Sequence, residues 1–225
     1  MADVLFGKVN PCGRLPLSFP HEIEHCTAHL NWGSENGKVH YGEGVFVGYR
    51  GYEATRRDPM FAFGEGLSYS TFRKSGTGLA SCVENSDLIT HMRRVLIGWG
   101  DFTVSVEEGE TAEAIVATIT MSVENTSQLD GADVIQIYVT QMAPSLRRPS
   151  KELKGFQKVF LRAGEKKTVS LRLDKLAFCY WNDKTARWVA EIGEFDFMAS
   201  RSAREADAMA KSRVRLNETY IWTGL

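Results

Sequence analysis

Two acids in this 225-residue chain stand between glycines: Glu43 in Tyr41-Gly42-Glu43-Gly44 and Glu65 in Phe63-Gly64-Glu65-Gly66. A glycosidic bond is hydrolysed by two carboxylates that face it from opposite sides. Glu43 and Glu65 are the nearest candidates by appearance. Acids in glycine-rich turns are more commonly solvated or bonded to nearby backbone, so neither is assigned a catalytic role. The aromatic side chains around them, from Tyr41 to Tyr69, have faces suited to sugar rings, but packing of one domain against another accounts for them better. Gly64-Glu65-Gly66 lacks the further glycine and the strand–helix context of a dinucleotide site. No Gly-x-Ser-x-Gly, phosphate-binding glycine loop or His-Glu-x-x-His is present. No cofactor site is expected.

His21, His25 and His29 are spaced four apart. On a helix they would share a face and offer metal ligands. Pro20, Gly33 and Gly37 surround that stretch and it has no helical amphipathicity, so no metal site is expected. Cys12, Cys26, Cys82 and Cys179 form no CxxC and read as reduced thiols. Asn125-Thr126-Ser127 and Asn217-Glu218-Thr219 match the glycosylation sequon, a short motif that arises often by chance. With 27 basic and 28 acidic residues the net charge is −1, which points to neither nucleic acid nor an anionic membrane as partner. No apolar run approaches the roughly 18 residues of a spanning helix, and the first residues do not follow a secretory signal pattern.

The elements that would carry these residues fall into three stretches: 1–40, 41–100 and 101–225. Ala2 to Phe6, closed by Gly7, suits the last turn of a helix. Leu15 to Phe19 is a candidate edge strand because Pro16 cannot donate a ladder bond. Pro20 to Lys38 reads as irregular. Tyr41 to Phe72, rich in Gly, Tyr and Phe, has neither helical period nor alternation and reads as a long shaped connection packed against something large. Leu88 to Gly98 is a candidate short helix. From Phe102 the pattern becomes alternating, with Phe102-Val104-Val106, Ile115 to Val123, Ile135-Ile137-Val139, Phe156 to Leu161, Val169-Leu171-Leu173, Trp188 to Ala190, Phe195-Phe197 and Val214 to Trp222. Turns separate them at residues 125–131, 163–165, 181–184 and 192–193. Short strands with such turns predict an antiparallel sandwich, with Ile119, Ile135, Val169, Leu171 and Phe195 in its core.

Residue chemistry stops at a mainly β chain, a β-sandwich preceded by part of something else. Ala2-Asp3-Val4-Leu5-Phe6-Gly7-Lys8-Val9-Asn10-Pro11-Cys12-Gly13-Arg14-Leu15-Pro16 resembles the late part of the α/β sandwich domain of glycoside hydrolase family 3. Tyr41-Gly42-Glu43-Gly44-Val45-Phe46-Val47-Gly48-Tyr49-Arg50 and Phe63-Gly64-Glu65-Gly66-Leu67-Ser68-Tyr69 resemble the same family. So do Arg148-Pro149-Ser150-Lys151-Glu152-Leu153-Lys154-Gly155-Phe156 and Ala163-Gly164-Glu165-Lys166-Lys167-Thr168-Val169. The ending Tyr220 to Leu225 resembles fungal members. Cys12, Gly51, Ala199 and the stretch from Arg73 to Gly100 depart from the family pattern.

The resemblance implies a truncated end of the family's α/β domain over residues 1–40 and a docking linker over 41–100. It implies a fibronectin type III-like domain over 101–225. Members hydrolyse terminal β-glucosides with retention. Their nucleophilic aspartate, in a Ser-Asp-Trp context, and their acid/base glutamate would both precede Met1. No catalytic, cofactor or metal residue is therefore carried over to this chain. The implied partners are the upstream catalytic domains of the same polypeptide, and a stand-alone binding module is the alternative reading.

Overall fold

The computed structural model describes residues 2–70, 72–73 and 99–224. Two helices are short, α1 (Ala2–Leu5) and α2 (Tyr49–Ala54). The strands are β1 (Phe72–Arg73), β2 (Trp99–Glu107), β3 (Val116–Asn125), β4 (Gly131–Gln141), β5 (Glu152–Leu161) and β6 (Lys166–Leu173). They continue with β7 (Tyr180–Asn182), β8 (Arg187–Ala190), β9 (Gly193–Ser200), β10 (Ala208–Leu216) and β11 (Tyr220–Trp222). All pairings are antiparallel. In one sheet β3 pairs with β1, β2 and β6; a second runs β10-β9-β4-β5; a small third runs β11-β8-β7.

The two large sheets enclose one core because each strand alternates. Ile115, Ala117, Ile119, Met121 and Val123 are fully buried on the inner face of β3 and its approach, as are Ile135, Ile137, Phe195, Phe197 and Leu161 from the facing sheet. Phe178 sits between them, edge-on to Phe195 with ring centroids 5.0 Å apart, the arrangement the ring quadrupoles favour. All five residues placed in the core by alternation are buried. After β3 the chain turns on Asn125. Its buried amide donates to the carbonyls of Leu129 (2.8 Å) and Leu161 (3.2 Å), while its oxygen accepts from the Ser127 backbone (3.0 Å).

Several elements differ from the sequence expectation. Leu15 to Phe19 forms no strand; it meets residues 61–65 only at its two ends, through a bridge between Phe19 and Phe61 and backbone bonds of Leu15 to Gly64 and Glu65. α2 falls within the stretch read as a connection without helix, and six residues are too few to show a helical period. Val214 to Trp222 is not one strand but the end of β10 and all of β11, with a turn at 217–219. Trp181 and Asn182 belong to β7 rather than to a turn. β5 begins at Glu152, earlier than Phe156; its first four residues are half-buried, the charged Glu152 and Lys154 included. The candidate helix Leu88 to Gly98 lies outside the described residues. No helix among the described residues is long and apolar enough to cross a membrane.

Leu171 lies opposite Ile119 in the β3–β6 register and is buried. Leu171→Ala is expected to cost about 2–5 kcal/mol through lost burial and a residual cavity. It should lower the urea midpoint measured by tryptophan fluorescence. An unchanged midpoint would place Leu171 off the core face.

Candidate functional site

The structure engages the two acids between glycines locally and separately. Glu43 accepts from the Asn31 side chain at 2.7 Å. Glu65 accepts from the Ala62 backbone N–H at 2.9 Å and stands 3.6 Å from the Arg204 guanidinium. His25 and His29 lie in two separate one-turn 3₁₀ segments, and His21 precedes both on the exposed chain. Among the described residues Cys12, Cys26 and Cys179 are free thiols.

The most elaborate arrangement of polar and aromatic groups is a seam where residues 10–70 cover the outer face of β4. On a strand successive side chains point to opposite faces. While Ile135, Ile137 and Val139 fill the core, Gln136 and Tyr138 face outward, yet both are buried. The Gln136 amide donates to the carbonyl of Gly64 (3.0 Å) and to that of Arg201 (2.6 Å), and its oxygen accepts from the Tyr138 hydroxyl (2.9 Å). Gly64 has φ +79°, and a Cβ there would meet the Gln136 amide nitrogen at 2.8 Å. Only glycine allows both that backbone and that approach. Tyr49 stacks on Phe63 with centroids 4.8 Å apart and meets Tyr138 edge-on at 6.0 Å. Between Tyr138 and Ile137 the β4–β5 register slips by one residue. A bulge of this kind breaks the ladder locally, and the Tyr49 hydroxyl accepts the Leu153 N–H at 2.8 Å.

Four further ties fix the segment. Arg14 pairs with Asp133, whose side chain is 1% exposed. Removing one partner of such a buried pair typically costs about 3–5 kcal/mol. Asn10 binds Ser70 and the Tyr69 backbone, and the Ser70 hydroxyl reaches the carbonyls of Leu129 and Asp130. Arg204 donates to the carbonyls of Pro59 and Met60 and pairs with Asp58. The motif Arg148-Pro149-Ser150-Lys151-Glu152 supplies the fourth tie. Arg148 bonds Gln141, Glu152 and the carbonyls of Phe178 and Cys179, which holds the loop to the sandwich. Ser150 then donates to Glu53 of α2 at 2.6 Å, and Lys151, buried, pairs with Glu53 at 3.0 Å and Glu205 at 3.3 Å. Glu152 also faces Arg50 of α2 at 3.5 Å.

Two acids of this cluster, Glu53 and Glu152, are shifted in opposite directions. Burial pushes Glu53 up, against the pull of Ser150 and Lys151. Burial also acts upward on Glu152, but the surrounding cations Lys154, Arg148 and Arg50 outweigh it and hold this carboxyl below the usual range. Several large apolar side chains of the segment lie outside these ties. Leu30 is 94% exposed, Trp32 87%, Phe6 81% and Tyr41 79%.

The fold and seam define a β-sandwich that carries an upstream segment docked on one sheet. Residues 133–203 match the fibronectin type III-like domain, and residues 1–49 match the glycosyl hydrolase family 3 C-terminal domain. The chain is 40% identical over 97% of its length to the thermostable β-glucosidase B of Acetivibrio thermocellus. It is 40% identical over its whole length to the probable β-glucosidase H of Emericella nidulans. It covers 25% and 24% of those proteins, so it spans about a quarter of the length of the curated relatives it matches. Among solved structures, it superposes along its whole length on 23% of the Kluyveromyces marxianus β-glucosidase in complex with glucose, with TM-score 0.81 and 34% identity. It covers 27% of the Bifidobacterium adolescentis β-glucosidase chain with 96% of its own, at TM-score 0.77 and 38% identity. The chain is a C-terminal segment of the glycoside hydrolase family 3 type, including that family's fibronectin type III-like domain.

Loss of the Tyr49 ring should loosen the seam without touching the sandwich core. Tyr49→Ala is expected to let a protease cut within residues 2–70 at lower concentration while the sandwich stays resistant. Tyr49→Phe, which forfeits one hydrogen bond, should lose only about 0.5–1.5 kcal/mol. Equal protease resistance of the alanine variant and wild type would show that the stacking does not hold the segment.

The raised Glu53 carboxyl gives a signed pH effect. The folded state binds this proton more readily than the unfolded chain. Its contribution to stability is therefore full below the ordinary carboxylate value and is lost as pH rises through the raised value. Urea titrations of wild type and Glu53→Gln should shift in favour of wild type as pH falls from neutral across that window. A difference that stays constant with pH would mean Glu53 titrates as it does unfolded.

Proposed function

We propose that this chain is the C-terminal part of a β-glucosidase, an enzyme that hydrolyses terminal β-D-glucosides, and that it performs no chemistry alone. Residues 1–40 would close the α/β catalytic-region domain. Residues 41–100 would link and dock, and residues 101–225 would form the supporting sandwich. A retaining mechanism needs a nucleophile and an acid/base held about 5–5.5 Å apart on rigid elements. In this reading both carboxylates come from upstream domains of the same polypeptide, and Glu43 and Glu65 serve their loops.

The observation that carries the proposal is the double character of residues 2–70. Part of the segment is bonded to β4 and the Arg148 motif, while Leu30, Trp32, Phe6 and Tyr41 are left largely exposed. Exposed apolar side chains of this size suit contact with a further domain of the same enzyme, and the relatives named above are β-glucosidases. A stand-alone binding module is the second reading, favoured by the closed core of residues 112–222. It leaves those exposed apolar side chains without a role.

Purified chain incubated with nitrophenyl β-glucoside should release no nitrophenol above a buffer control. Turnover should appear once the upstream domains of a family 3 β-glucosidase are fused before it. Turnover by the chain alone that Glu43→Gln or Glu65→Gln abolishes would overturn the proposal.

A further inference from the structure

The two glycosylation sequons occupy opposite environments. Asn125 is fully buried, and its amide nitrogen is spent on two backbone carbonyls. A glycan on that nitrogen would have to pass through the turn that locks β3 to β4, so the folded protein cannot carry one there. Asn217 lies exposed in the turn between β10 and β11, with Leu216 and Tyr220 buried on either side to hold the turn. The Glu108 carboxylate accepts from its side-chain amide at 2.7 Å and from its backbone N–H at 2.9 Å. An amide nitrogen has two hydrogens, so substitution of one leaves the other to keep the bond to Glu108.

The position also clears the docked segment. Ala203 and Arg204 meet that segment just before β10 begins, and Asn217 follows the far end of the strand. Nine residues at about 3.3 Å each separate the two by roughly 30 Å. The third sequon residue, Thr219, is exposed, and its hydroxyl accepts from the Ile192 N–H at 3.0 Å.

We propose that Asn217, and not Asn125, is the N-glycan acceptor of the folded chain when it enters a secretory pathway. The co-reactant is a lipid-pyrophosphate-linked oligosaccharide. The Asn217 amide nitrogen bonds to the anomeric carbon, the bond from that carbon to the pyrophosphate oxygen breaks, and the nitrogen gives up one proton. Neither the sandwich core nor the seam moves.

The test places the full chain behind a secretion leader in yeast and maps glycan occupancy by mass spectrometry on the whole translocated pool. Failure of export then does not blank the reading. Asn217 should be occupied. The glycan should vanish in Asn217→Gln and Thr219→Ala, and persist in Thr219→Ser and Asn125→Gln. Any occupancy of Asn125 should be confined to the protease-sensitive, unfolded fraction. An unoccupied Asn217 in the translocated pool, or a glycan on Asn125 in the protease-resistant fraction, would overturn the proposal.

Discussion

β4 is buried on both faces, and the rest of the structure answers to that. A strand at the surface of a sandwich ordinarily turns one face to water. Here Ile135, Ile137 and Val139 fill the core while Gln136 and Tyr138 are shut in on the other side. A buried amide and phenol must find partners or bear the desolvation cost, about 1–3 kcal/mol each. The Gln136 amide finds the backbone carbonyls of Gly64 and Arg201, the Tyr138 hydroxyl finds the Gln136 oxygen, and Tyr49 and Phe63 pack over the Tyr138 cluster. The upstream segment therefore completes the sheet's outer layer.

The character of the seam differs from that of the core. The core gains its stability from apolar burial, at about 25 cal/mol per Å², which is not directional. The seam is built from directional bonds: amide to carbonyl, hydroxyl to N–H, guanidinium to carboxylate. Buried polar contacts of this kind add little net stability compared with a well-packed apolar patch. They penalise every wrong register, because a shifted segment leaves several groups unpaired at once. Gly64 against Gln136 and the Arg14–Asp133 pair act in this way.

The sandwich was legible in the sequence wherever one face of a strand met water. Alternation at Ile115 to Val123 and at Val169 to Leu173 placed the right residues inside. It faded where that condition failed. The early part of β5 is packed against Tyr49 and Arg148, and the charged face formed by Glu152 and Lys154 is half-buried in ion pairs instead of open to water. β10 carries Lys211, Ser212, Arg213 and Arg215 around small apolar residues and hid its first half. α2 was invisible because six residues give under two turns and Gly51 sits within it. The seam was legible only as composition. Gly, Tyr and Phe between 41 and 70 signalled contact with something large. That the sandwich itself takes one side of that contact needed three-dimensional pairing between residues such as Tyr49 and Leu153, 104 positions apart.

The Arg148 motif shows how one short stretch can serve both levels. Arg148 turns inward and ties its loop to Gln141, Phe178 and Cys179 of the sandwich. Ser150 and Lys151, only two and three residues on, turn outward to Glu53. The inner bonds fix the loop, and a fixed loop presents the outer donors without further ordering entropy. Lys151 is almost closed off from solvent, and Glu53 and Glu205 both approach its ammonium group. That brings ionisable groups from three separate stretches of chain to one point. Residues 2–70 are thereby fixed relative to the sandwich by contacts made within the chain itself.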